Sequence, residues 1–268
     1  LGWFLMNLST WYGGKTWLAE PRWDAERPGP LPLVEGEVLR VGGRKARLLS
    51  AFPGLQRLWF LRIEGDVREV MRRSGGPIRY GYLSRSYPLE AYQTIFAQVP
   101  GSAEMPSAAR PFTHEVLRQV RARGIRVAPI LLHTGVSSLE IEAETVEAQP
   151  LFPEPYAVPE ATARAVNETR RRGGRVVAVG TTVVRALETA WDGRSVRPSS
   201  GFTQAFIHPG RGMHVVDGLI TGFHDPVTTH LAILYALAGP ETIREAYREA
   251  VRRRYLWHEF GDSHLLLT

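Results

Sequence analysis

The sequence predicts the α/β class, a layered α/β domain preceded by a small antiparallel β-barrel domain. In residues 1–75, short strand-like runs recur at regular spacing between glycine turns, the pattern of a small antiparallel barrel or sandwich. Beyond residue 113 helical and extended patterns alternate, as layered α/β folds require. The chain has 268 residues and a hydrophobic content of 44%, enough to build two cores rather than a disordered chain. The expected domains are therefore 1–75, the β-barrel, and 76–268, the α/β catalytic-type domain.

In the first domain, Trp3-Phe-Leu-Met-Asn-Leu8 and Lys15-Thr-Trp-Leu-Ala-Glu20 read as strands around a turn at Tyr12-Gly13-Gly14. Pro28-Gly-Pro-Leu-Pro32 is a loop. Gly36-Glu-Val-Leu-Arg-Val41, Arg44-Lys-Ala-Arg-Leu-Leu49 and Arg57-Leu-Trp-Phe-Leu-Arg62 complete the strand set. Asp66-Val-Arg-Glu-Val-Met-Arg-Arg73 reads as a helix stopped by Gly75-Gly76.

In the second domain, residues 77–91 are irregular and Tyr92-Gln-Thr-Ile-Phe-Ala97 reads as a strand. Residues 113–123 form an amphipathic helix with Thr113 as N-cap and Gly124 as stop. Ile125-Arg-Val-Ala-Pro-Ile-Leu-Leu132 is a strand ending at His133. Residues 159–171 are a helix with proline at its first position. Arg175-Val-Val-Ala-Val179 is a buried strand, followed by Gly180-Thr181-Thr182 and a helix over 183–190. Phe202-Thr-Gln-Ala-Phe-Ile207 is another strand. Residues 231–237 are apolar throughout and read as a buried helix that begins near Thr228.

Ligands of open α/β sheets bind past the carboxyl ends of the strands. Polar clusters fall at such places: Pro100-Gly101-Ser102, His133-Thr134-Gly135, Gly180-Thr181-Thr182 with Arg185, residues 217–230, and Phe260-Gly261-Asp262. Their coincidence predicts a shared pocket. Gly180 lets a ligand approach the backbone, and the threonines with a helix N-terminus suit an anion. Thr182, Thr228 and Asp225 can equally serve as helix caps. His133 and His224 are candidate proton carriers; a hydrogen-bonded structural histidine is the alternative for each. Asp217 either holds a cation or stabilises the turn before Gly218. The histidines share no metal-ligand spacing, so no metal is expected. No Walker or dinucleotide glycine motif occurs.

There is no cysteine, which removes disulfides, thiol nucleophiles and Cys-based zinc sites. No apolar run approaches the roughly eighteen residues of a membrane span, and no secretory signal is visible. A cytoplasmic protein without membrane contact is expected, as a monomer. The chain opens on Leu1 in strand-like sequence, so the native start is expected upstream. Net charge is +6, carried largely by arginine as in Arg170-Arg171-Arg172 and Arg252-Arg253-Arg254. Arginine suits bidentate phosphate contacts, which points to RNA as a partner; solvated helix faces are the other account of each cluster.

Four segments resemble one known family. They are Tyr92-Gln-Thr-Ile-Phe-Ala-Gln-Val-Pro-Gly-Ser102, Val179-Gly-Thr-Thr-Val-Val-Arg185, Val216-Asp-Gly-Leu-Ile-Thr-Gly-Phe-His224, and Tyr255 followed by Phe260-Gly-Asp262. Together they identify the chain as similar to the S-adenosylmethionine:tRNA ribosyltransferase-isomerases of queuosine biosynthesis (QueA). The resemblance implies an α/β domain with a small β-barrel domain. It implies transfer and isomerisation of the ribosyl part of S-adenosylmethionine onto 7-aminomethyl-7-deazaguanine in tRNA. Epoxyqueuosine, adenine and methionine are the products, and S-adenosylmethionine is a substrate rather than a resident cofactor. On that basis His224, Asp217 and His133 are expected to serve the proton steps. Pro100, Gly101, Ser102, Gly180, Thr181, Thr182, Arg185, Thr221, Phe223 and Asp262 are expected to bind substrate.

The chain also departs from the family pattern. Pro111 stands where the motif has histidine, Gly222 stands where it has asparagine, and Leu132-His-Thr-Gly-Val-Ser-Ser-Leu139 lacks the motif's second glycine and phenylalanine. The departures define a second reading, a diverged member that binds RNA or a nucleoside without this activity.

Overall fold

A computed structural model describes residues 2–78, 83, 85–136, 144–145, 151–226 and 228–268. The chain divides into two compact units. The first comprises Leu1–Gln93, Val99–Met105 and Thr134–Val136; the second comprises Thr94–Gln98, Pro106–His133 and Ser137–Thr268.

The first unit is built on an antiparallel sheet of β1 (Leu5–Trp11), β2 (Thr16–Arg22), β3 (Val38–Val41), β4 (Arg44–Phe52) and β5 (Leu55–Ile63), in the order β1-β2-β5-β4-β3. The sheet is a strongly curled half-barrel. Register shifts between Leu48 and Ser50 and between Ala51 and Phe52 interrupt the β4–β5 ladder, and such irregularities bend a strand and increase its twist. One face buries Leu39, Ala46, Leu48, Trp59, Leu61 and Ile63. Helix α1 (Val67–Ser74) starts at Asp66, whose side chain accepts from the Arg68 N–H. Val70 of this helix comes so close to Gly42 that a Cβ there would lie 2.6 Å from Val70 Cγ1.

The second unit holds two three-stranded sheets. One pairs β6 (Leu131–Leu132), β7 (Glu154–Val158) and β9 (Ser199–Thr203) in the order β6-β7-β9, all antiparallel. The other orders as β11-β10-β8, from β8 (Val177–Val179), β10 (Gly218–Gly222) and β11 (Ser263–Leu267). Here β8 and β10 run parallel and β11 antiparallel. The helices are α2 (His114–Ala122), α3 (Glu160–Arg171), α4 (Thr181–Thr189), α5 (Thr229–Ala238) and α6 (Pro240–Arg252). The core includes Ala178, Val184, Leu187, Leu219, Leu231, Leu234, Ile243 and Leu266, drawn from both strands and helices.

Several local expectations differ from what forms. Tyr92 ends a short 3-10 helix, Leu89–Tyr92, instead of starting a strand. Its ring is buried at 7% exposure, so tertiary packing overrides the extended preference of an aromatic residue. The expected strand over 125–132 shrinks to β6. Pro129 has no N–H for a ladder, and its carbonyl accepts instead from the Thr162 hydroxyl. The expected strand over 202–207 is displaced to β9, with Phe202 exposed. Pro159 is the N-cap of α3 rather than its first residue. Parts of the irregular stretch after Pro77, and positions 137–139 of the departing loop, lie outside the described residues.

Candidate functional site

Strands β8 and β10 pair in parallel, with Val179 opposite Ile220, so their carboxyl ends open on the same side. After β8 the chain turns at Gly180, with φ +98° and its N–H donating to the Ile220 carbonyl at 2.8 Å. That conformation favours glycine, and it starts α4 directly. After β10 the chain passes through Phe223 to His224. Thr221 and His224 are buried at 2% and 5% exposure.

Thr221 Oγ1 lies 2.7 Å from His224 Nε2. The His224 backbone N–H donates to the Tyr247 hydroxyl at 3.0 Å. The His224 ring stacks on His230 at 4.7 Å between centroids and tilts against His258 at 5.1 Å. Burial, reinforced by His230, His258 and His264, holds His224 well below the usual imidazole range. Burial also brings His230 down to about 3, with His258 and Arg185 adding to the effect. His258 falls to about 4 through burial alone, and burial lowers His264 too. The cluster is therefore a group of neutral imidazoles. The Tyr247 phenol is pushed up to about 12, chiefly by burial, and stays protonated.

Beside this cluster lies a cavity of about 230 Å³. Its walls come from three segments: Ser107, Ala108, Arg110 and Pro111; Thr221 and Gly222; and residues 258–263 without Phe260. The last segment is a tight loop. Asp262 Oδ2 accepts from the Leu256 N–H at 2.7 Å, and the Asp262 N–H donates to the Leu256 carbonyl at 2.9 Å. Gly261 inside it meets the Leu256 and Trp257 carbonyls so closely that no Cβ fits. Arg110 lies over the Phe260 ring, 4.4 Å from its centroid. Gly180 adjoins the cavity through Ala108: a Cβ on Gly180 would stand 3.8 Å from that side chain.

Thr221, His224 and Asp262 thus sit at or directly behind one cavity, while Gly180 packs near Ala108 of its wall without lining it. Thr181 is buried and Thr182 partly so. Phe223 is enclosed by rings, stacking on His264 at 4.9 Å and Tyr255 at 5.5 Å, a packing arrangement. Arg185 donates from Nε to the Ala205 carbonyl at 3.2 Å and pairs with the buried Glu154 carboxylate. Its Nη2 is buried with no hydrogen-bond partner among the described residues.

Other candidates lie elsewhere. Asp217 precedes β10 at the end opposite His224. It accepts there from the Val176 N–H at 2.8 Å, and its carbonyl accepts from the Thr268 N–H and hydroxyl. The length of β10 separates it from the cavity. His133 follows β6 in the other sheet, its N–H donating to the Pro155 carbonyl at 2.9 Å, and burial lowers its pKa. Pro100, Gly101 and Ser102 belong to the first unit, where Ser102 Oγ accepts from the Thr134 N–H at 3.3 Å. Among the described residues no three His, Asp or Glu side chains converge as a metal site would need. No helix among them is long and apolar enough to cross a membrane.

His258, Glu259 and Ser263 were not singled out from the sequence as cavity residues. A signal existed in α6, where Ile243, Tyr247 and Ala250 fall at helical spacing on one face. Recognising that helix would have placed residues 253–262 as its returning loop.

The model of a family described as queuosine biosynthesis protein matches residues 13–266. The S-adenosylmethionine:tRNA ribosyltransferase-isomerase of Pelotomaculum thermopropionicum is 40% identical over 257 residues, covering 93% of this chain and 75% of its own. That of Rubrobacter xylanophilus is 43% identical over 244 residues, covering 90% and 68%. A crystal structure of S-adenosylmethionine tRNA ribosyltransferase from Thermotoga maritima matches with a TM-score of 0.50 and 28% identity, covering 97% of this chain and 73% of that one.

Proposed function

The chain belongs to the queuosine biosynthesis protein family, and we propose that the cavity past β8 and β10 is where it works on its substrates. The activity is that of an S-adenosylmethionine:tRNA ribosyltransferase-isomerase, which transfers and isomerises the ribosyl group of S-adenosylmethionine onto tRNA in queuosine synthesis. In this reading 7-aminomethyl-7-deazaguanine is the acceptor base, and adenine and methionine leave. The donor is a substrate, and no resident metal or cofactor is invoked. The protein acts as a cytoplasmic monomer on tRNA, drawn to the phosphate backbone by its arginine-rich charge of +6.

The observation that carries the site reading is the Thr221–His224 pair at the cavity wall. The reaction needs a base for a carbon beside the donor's sulfonium and assistance for the departing adenine. A hydroxyl in the wall, hydrogen-bonded to an imidazole held neutral behind it, forms a two-member path for a proton. Asp262 offers a carboxylate to a cationic or amine group, while Gly180 and the start of α4 favour an anionic one. His133, Asp217 and Arg185 stay in the reading as second-rank candidates, each with a structural partner of its own.

The experiment is incubation with tRNA carrying 7-aminomethyl-7-deazaguanine and ribose-labelled S-adenosylmethionine. Label entering tRNA with stoichiometric adenine release is expected. Salt-sensitive tRNA binding without adenine release would replace this reading with that of a diverged, non-catalytic member. Pro111 in the cavity wall is the observation favouring that second reading.

A further inference from the structure

Of the four clustered histidines His224, His230, His258 and His264, His258 is the one among the residues that line the cavity. Its position is held from several sides. The His258 N–H donates to the Phe223 carbonyl at 3.0 Å. Its ring leans on His224 at 35° between planes. It also lies over Gly222, where an added Cβ would stand 3.3 Å from His258 Cβ and 3.4 Å from Cδ2. A side chain at 222 would press on this ring, so glycine at 222 and histidine at 258 fit together as a pair. Pro111, in the same wall, offers neither an N–H nor a polar side-chain atom.

The cavity, of about 230 Å³, has room for a flat bicyclic base beside His258. A neutral imidazole carries one N–H donor and one ring-nitrogen acceptor. A purine edge offers ring nitrogens and an exocyclic amine, a matching set.

We propose that His258 contacts the adenine of the donor, hydrogen-bonding a ring nitrogen of the base as it departs. The proposal rests on the ribosyl-transfer reading and names the group in the cavity wall that meets the leaving base. His258 adds a hydrogen bond that strengthens as negative charge grows on the adenine nitrogens, so it acts more on kcat than on KM. The bond from ribose carbon to adenine breaks with its electron pair going to the base, and a lone pair of the ribose ring oxygen takes its place at that carbon. The proton that makes the base neutral balances the one removed from the carbon beside the sulfonium and is returned through solvent.

The test compares His258→Phe, which keeps a flat ring over Gly222, with His258→Gln, which keeps a donor and an acceptor. Adenine release gives kcat and KM for the donor, and calorimetric titration with free adenine gives binding. His258→Phe is expected to lose at least tenfold in kcat with a smaller change in KM, and to bind adenine at least tenfold more weakly; His258→Gln recovers part of both. Wild-type kcat and adenine binding in His258→Phe would overturn the proposal. Failure of the parent chain to bind adenine would overturn it as well. Adenine binding that depends on His258 in a parent chain without turnover would overturn the ribosyl-transfer reading and leave the contact standing. If His258→Phe does not fold, His258→Leu takes its place in both measurements, read by the same criteria.

Discussion

Thr221 Oγ1 and His224 Nε2 stand 2.7 Å apart, three residues along the chain, where β10 gives way to an irregular turn. Both residues are buried, and each polar group satisfies the other. Thr221→Val preserves shape and removes the hydroxyl. It should lower unfolding stability by about 1–3 kcal/mol, the cost of leaving a buried ring nitrogen unpaired. It should also slow adenine release by at least about tenfold, as loss of a proton-transfer partner does. Urea titration and single-turnover kinetics check both outcomes. Unchanged kinetics at reduced stability would assign the pair a purely structural role.

Arg185 and Glu154 pair at 13% and 3% side-chain exposure. Arg185→Met removes the cation paired with the buried Glu154 carboxylate and should cost about 3–5 kcal/mol. Adding Glu154→Leu should restore most of that loss, because the charge then goes with its partner. If Arg185 also holds the donor, KM for S-adenosylmethionine stays raised in the stable double variant. A normal KM there confines Arg185 to the fold.

Gly261 has no room for a side chain between the Leu256 and Trp257 carbonyls. Gly261→Ala must open the loop that Asp262 closes onto Leu256. A stability loss of about 1–3 kcal/mol is expected, as for other overpacked sites, together with weaker adenine binding. Differential scanning calorimetry and titration would show it; wild-type values in both would mean the loop is looser than its hydrogen bonds imply.

Stability should fall on acidification through the buried histidines. Burial depresses His258 to about 4 and His230 to about 3, against an ordinary value of 6.5. The unfolded chain therefore takes up protons first, below about pH 6.5. The stabilising effect of neutral burial is full above that pH. It is lost progressively as pH falls toward about 4 for His258 and about 3 for His230. Urea midpoints should drop between pH 7.5 and about 5, and His258→Phe should flatten the slope. A midpoint that rises on acidification would contradict the neutral state of the cluster.

Much of this was legible in the sequence. Short alternating strands marked the curled sheet of the first unit because a sheet with one buried face imposes a period of two. Thr113 announced its helix through local capping. The segments over 179–185 and 216–224 resembled a known family, and the match to residues 13–266 supports that resemblance. Less legible were β7 and β11. Their strand character depends on partners distant in sequence: β11, for example, exists as a strand because β10 lies beside it.

The sequence by itself determined the class of the fold, its family and the polar groups that follow β8 and β10. These follow from local periodicity and contiguous motifs, properties a linear reading can see. Only the tertiary structure decided which of those groups share a cavity. Parallel pairing of β8 with β10 sets Gly180 and Thr221 at one end and Asp217 at the other, although Asp217 and Thr221 are four residues apart. The return of the chain after α6 then carries His258 onto Gly222. Neighbourhood across a sheet depends on strand direction and register, and no local pattern encodes either.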